Sequence, residues 1–145
     1  MSYSYSAAVE ASLDALAERD IDPTVAVYER LFSRQPDMKA LFWRDADGSI
    51  KGEMLSRVFA AVLDFIGERR YAGHMIGTEM VTHEGYDVPR EVFATFFGVV
   101  AETLKDLLGA DWTPDMDTGW ADMLADIESY VRGTPRSDVA RTAAA

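Results

Sequence analysis

The chain has 145 residues, 48% of them hydrophobic, with a formal charge of −11 and no cysteine. That length suffices to bury about two-thirds of the unfolded surface in one core, so a single domain over residues 1–145 is expected. The missing cysteines exclude a disulfide framework, thiolate metal sites and cysteine nucleophiles and fit a cytoplasmic setting, while the acidic charge opposes nucleic acid and anionic membranes as partners.

The start, MSYSYSAAVEASLDAL, has neither a basic lead nor an uninterrupted apolar stretch, so no signal peptide is expected. No run of about 18 apolar residues occurs, which argues against a membrane span. Apolar residues then recur at helical spacing throughout, without sustained strand alternation. Residues 7–19 form a first amphipathic segment. Asp22-Pro23 supplies a cap followed by proline in the first turn, opening a second helix through VAVYERLFSR. Pro36 starts a short third piece, and Arg44–Ser49 is polar enough to be a loop. From Ile50 to Arg69, Met54, Leu55, Val58, Phe59, Val62, Leu63 and Ile66 make one broad apolar face. Gly73, Gly77 and Gly85 predict only a short, irregular helix between residues 74 and 84. Asp87 and Pro89 open a long helix that Gly109 stops near Leu108. Thr113-Pro114 repeats the cap-plus-proline device before a last helix with Met116, Trp120, Met123, Leu124, Ile127 and Tyr130/Val131 on one face. The expected core covers about residues 7–132, and the polar tail 133–145 is expected to be disordered.

Candidate chemistry is sparse. His74 lies among glycines, and His83 lies near the end of the weak helix, just before GYDVP. Neither has partners at the ligand spacing of a zinc site. By residue type alone each is a surface or capping histidine, and periodicity yields a helical domain without an assigned activity.

Three stretches taken together change that weighting. VYERLFSRQPDMKALF, the His83-containing THEGYDVPREVF and LKDLLGADWTPDM follow one another in order, within a likeness that runs from about Ala7 to Val131. In that order and spacing the chain resembles a bacterial single-domain globin, similar to the haem domain of flavohaemoglobins. The resemblance implies an all-α globin fold, about seven helices crossing at large angles around a haem pocket. It implies haem b, since no cysteine is present for covalent attachment.

Site roles follow from the resemblance, residue by residue. His83 matches the proximal histidine that binds iron, and Thr82 before it can turn its hydroxyl to the other ring nitrogen or to a local carbonyl. Phe42, six residues after Pro36, matches the phenylalanine stacked on the porphyrin. Leu55, 28 positions before His83, matches the apolar residue above the iron. Val88, Phe93 and Phe96 match the haem lining around the start of the long helix. Tyr28 matches the distal tyrosine that hydrogen-bonds bound oxygen. Lys51 stands where other globins keep histidine or glutamine. It either reaches a haem propionate or solvent, or loses its proton and becomes a sixth iron ligand.

Three departures bear on function. Phe93 occupies the place of a tyrosine that supports the proximal histidine in flavohaemoglobins, and their supporting late glutamate has no counterpart, so the imidazole is expected to push less electron density onto iron. Glu79 stands one turn before His83, where globins place an apolar residue beneath the haem. This implies either an irregular helix that puts Met80 or Ile76 there, or a looser pocket. No reductase domain is present in this sequence, so turnover would need an external reductase.

The function implied is reversible binding of a diatomic ligand, O2 or NO, with CO as a further ligand and oxygen transport as the associated role. An NO dioxygenase-type oxidoreductase served by an external reductase is the enzymatic alternative. A haem-free globin-fold sensor or interaction module is the third reading, which Glu79 favours and the pairing of His83 with Phe42 opposes. Trp43 and Trp112 are candidate contacts for a homodimer.

Overall fold

In the computed structural model, residues 3–133 are described, and the tail expected to be disordered lies almost wholly outside them. Six α-helices and two 3-10 segments follow in order: α1 (Ser6–Glu18), α2 (Thr24–Arg34), a 3-10 segment (Pro36–Phe42), α3 (Ser49–Ile66), α4 (Ala72–Gly85), α5 (Arg90–Leu108), a 3-10 turn (Gly109–Asp111) and α6 (Pro114–Gly133). No strand occurs among the described residues.

The helix starts are built from the side chains that sequence reading picks out. Asp22 Oδ1 accepts from the Thr24 backbone N–H at 3.0 Å and from its hydroxyl at 2.6 Å, satisfying one orphan donor at the start of α2. Both hydrogen bonds hold the Asp22 carboxyl below its ordinary pKa. Thr113 Oγ1 accepts from the Met116 N–H at 3.1 Å, with Pro114 opening α6. The start of α4 is capped from a distance: Asp64, near the end of α3, accepts from the N–H groups of Arg70, Tyr71 and Ala72 at 3.1, 2.8 and 2.7 Å. Burial pushes the Asp64 carboxyl up, but these donors outweigh it and leave the pKa lowered.

One apolar cluster receives residues from all six helices, among them Val9, Val27, Leu55, Phe65, Met80, Leu104 and Trp120. Helix α1 packs on α6 and α5, α2 on α5, and α3 on α4. Gly119 permits the close approach of α6 to α1, because a Cβ there would stand 3.1 Å from Ala8 Cβ. Nearby, the buried Trp120 Nε1 donates to Ser12 Oγ at 2.8 Å, which satisfies the indole without water.

Two expectations are corrected. Helix α4 is a continuous 14-residue α-helix, because Gly73 and Gly77 lower helix propensity without preventing helix where packing supports it. Gly73 lies directly against the Tyr130 ring, leaving no room for a Cβ. Helix α3 ends at Ile66 before Gly67, three residues earlier than expected, and Leu63 is 49% exposed rather than part of the core face. A broad apolar run fixes a helix, but the width of the buried stripe depends on which neighbours arrive.

Candidate functional site

A cavity of about 540 Å³ opens between α3 on one side and α4 with the start of α5 on the other, closed at its end by α2 and the first 3-10 segment. That volume is in the range of cofactor and small-molecule sites. Its walls are mostly apolar and aromatic.

On the α4 side, His83 faces the cavity with its side chain 23% exposed. Its Nδ1 lies 2.6 Å from the backbone oxygen of Glu79, one turn earlier. A carbonyl only accepts, so Nδ1 carries the proton in this contact and Nε2 keeps its lone pair. The Thr82 hydroxyl donates to Thr78 O at 3.0 Å, the local-carbonyl arrangement of the two it had open. The helix end adds further fixation. Val88 N–H donates to His83 O at 2.9 Å and Asp87 N–H to Glu84 O at 3.2 Å, with Asp87 at φ 65°. These two bonds form a Schellman-type cap in which aspartate takes the left-handed place usual for glycine. The cap ties the histidine's own carbonyl to the turn that carries Val88 into the cavity wall. The Phe93 ring sits 5.3 Å from the imidazole.

On the opposite side Tyr28 is buried, and its hydroxyl has no hydrogen-bond partner. Its ring is held by Phe32, Phe42 and Phe96 at centroid distances of 5.9, 5.4 and 5.6 Å. Burial first, and the nearby Asp45 carboxylate second, push the phenol pKa well above its ordinary value, so it remains a proton donor. A buried hydroxyl without a partner is costly, and this one lines a cavity.

Of the residues singled out in the sequence, Tyr28, Phe42, His83, Val88, Phe93 and Phe96 line this cavity together. Lys51 and Leu55 do not. The cavity-facing stripe of α3 is Ile50, Met54, Val58 and Ala61; Lys51 and Leu55 stand one residue further on, turned by about 100°. Leu55 is packed in the core. Lys51 Nζ lies 3.0 Å from Asp45 Oδ2 and 5.6 Å from the Phe42 ring centre.

Asp45 was missed by sequence reading, where it belongs to a polar loop. Its side chain is fully buried and accepts from the backbone N–H groups of Ile50 and Lys51 at 2.9 and 3.0 Å, capping α3. Burial raises its pKa, but those bonds and the Lys51 ammonium prevail and lower it. Arg44 and Arg57 also line the cavity. Nothing in their spacing marks them, since both are exposed residues on polar faces. His74 is exposed, with Nε2 3.5 Å from Thr78 Oγ1, and takes no part. Trp43 is 74% exposed, whereas Trp112 donates through Nε1 to Asp117 at 3.1 Å.

A helical core enclosing a cavity that joins one histidine to one buried tyrosine is the arrangement of a ligand-binding α-helical protein, and residues 25–131 match the globin family model. The chain belongs to the globin family and has its all-α fold. No curated protein and no solved structure gave a significant match. Among the described residues, no helix is long and apolar enough to cross a membrane, and no cluster of three or more metal-ligating side chains occurs.

Proposed function

We propose that this globin holds haem b in the cavity between α3 and α4, with His83 Nε2 as the protein ligand of the iron, and binds O2 or NO reversibly. The observation that carries this reading is the contact of His83 Nδ1 with Glu79 O at 2.6 Å, which leaves Nε2 free to ligate within the cavity. The pocket's chemistry fits the group in three further respects. Its walls are apolar, as a macrocycle requires. Arg44 and Arg57 supply cations for its two carboxylates. The partnerless Tyr28 hydroxyl offers a hydrogen-bond donor.

Haem supplies an iron atom that takes up and releases diatomic ligands. The chain's own residues do the rest. His83 is held in one tautomer and orientation by Glu79 O. Phe42, Phe93 and Phe96 exclude water from the pocket walls. Tyr28 Oη donates to a partly anionic ligand, a contact that repays the cost of burying the hydroxyl unpaired. Asp45 keeps the Lys51 ammonium in an ion pair, which supports the reading of Lys51 as a charged residue outside the iron's coordination.

The test is an absorption spectrum of the purified chain, ferric and ferrous, with and without CO, for the wild type and His83→Gly. We expect a Soret band that His83→Gly loses or shifts, and that added imidazole restores. An unchanged spectrum in His83→Gly overturns the assignment. A chain that takes up no haem at all returns the haem-free module as the reading.

A further inference from the structure

We propose that Glu79 is a positioning residue that acts through His83: its carboxylate is an anionic neighbour that raises the electron density of the imidazole and favours ferric over ferrous iron. The inference rests on the haem reading above and extends it to the control of redox balance.

The geometry is specific. Glu79 Oε2 lies 3.7 Å from His83 Nδ1, the same nitrogen that meets the Glu79 backbone oxygen at 2.6 Å. The two residues are one turn apart on an unbroken α-helix, so the carboxylate is placed by rigid backbone rather than by a loop. At 3.7 Å it lies beyond hydrogen-bond length and acts as a charge beside a proton already committed to the carbonyl. Phe93 is apolar, the Thr82 hydroxyl is engaged by Thr78 O, and Arg90 binds Glu84 at 2.9 Å.

Glu79 also borders the cavity, with its side chain 37% exposed. No capping or interhelical bond among the described residues accounts for a carboxylate on the wall of this largely apolar pocket. Ferric iron carries one more positive charge than ferrous iron, and part of it is felt at the imidazole N–H. A carboxylate beside that N–H therefore stabilises the ferric form more, by an amount that salt partly screens because the group is partly exposed.

The experiment uses the full chain loaded with haem, as wild type, Glu79→Gln, Glu79→Asp and Glu10→Gln, the last removing one exposed acid from α1. Spectroelectrochemistry reads the midpoint potential, and resonance Raman of the ferrous protein reads the iron–histidine stretch. We expect Glu79→Gln to raise the ferrous-to-ferric ratio about threefold to tenfold at fixed potential, a shift of about 30–60 mV for a one-electron couple. The stretch should fall to lower frequency. Glu79→Asp should lie between Glu79→Gln and wild type, and Glu10→Gln should match wild type. If Glu79→Gln matches Glu10→Gln in both readouts while His83→Gly still loses its ligation, the role of Glu79 is overturned and the haem reading stands. If His83→Gly keeps the wild-type spectrum, the haem reading has failed and the inference falls with it.

Discussion

The ammonium of Lys51 lies 3.0 Å from the carboxylate of Asp45, whose side chain is wholly withdrawn from solvent. That pair decides what Lys51 can do. Nζ is paired with a group that also caps the helix carrying Lys51. Lys51→Ala is therefore expected to show the same ferric and ferrous coordination as wild type from neutral to alkaline pH. Asp45→Ala should lower the melting temperature and make the spectrum pH-dependent, and the double variant should remove that dependence. A low-spin six-coordinate signature present in wild type and lost in Lys51→Ala would contradict the pairing.

Tyr28→Phe is expected to move two quantities in opposite directions. Ligand binding should weaken by on the order of 10- to 100-fold, read as faster O2 dissociation, because a hydrogen bond to a partly charged acceptor is lost. The apo-protein should be unchanged or more stable by about 1 kcal/mol, because the lost hydroxyl is buried without a partner. Weaker folding with unchanged dissociation would show that the hydroxyl serves structure.

Met54 and Leu55 are adjacent, yet they are expected to fail differently. Leu55→Ala removes a core side chain that is 1% exposed and should cost about 2–5 kcal/mol in denaturant unfolding. Met54→Ala removes part of the cavity wall, so it should cost less stability and change CO rebinding rates more. A larger effect of Leu55→Ala than of Met54→Ala on rebinding would mean that Leu55, not Met54, restricts the ligand.

Acid stability follows from five carboxyls held below their ordinary pKa: Asp22, Asp45, Asp47, Asp64 and Asp117. Each is lower in the folded state than in the unfolded state, so each contributes stability that is present above the unfolded value of about 4 and lost as pH falls through the folded one. Unfolding free energy should be flat from neutral pH to about 5 and then drop steeply. In Asp64→Asn that drop should be shallower, from a lower plateau, because the amide cannot titrate.

The helices were largely legible in the sequence because their signals are local. Asp22-Pro23, Thr113-Pro114 and the Gly109 stop act within a few residues, and apolar spacing depends only on helix geometry. His83, Phe42 and Tyr28 are singled out by their intervals along the chain, and the structure brings all three to one cavity. What the sequence by itself determined is thus the all-α globin fold, with one histidine and one tyrosine as its candidate site residues.

Tertiary structure alone decided the rest. Whether Met54 or Leu55 faces the cavity turns on a rotation of about 100° that periodicity leaves open when both are apolar. Asp45 becomes a buried cap only when the loop folds beneath α3, and Lys51 acquires its partner at the same moment. Glu79 looks like a misplaced charge in one dimension. The unbroken helix puts its backbone oxygen 2.6 Å and its carboxylate 3.7 Å from the same imidazole nitrogen, because residues four apart on a helix share a face. Gly73 of that helix is packed against the Tyr130 ring, and such a contact lies outside the reach of local propensity.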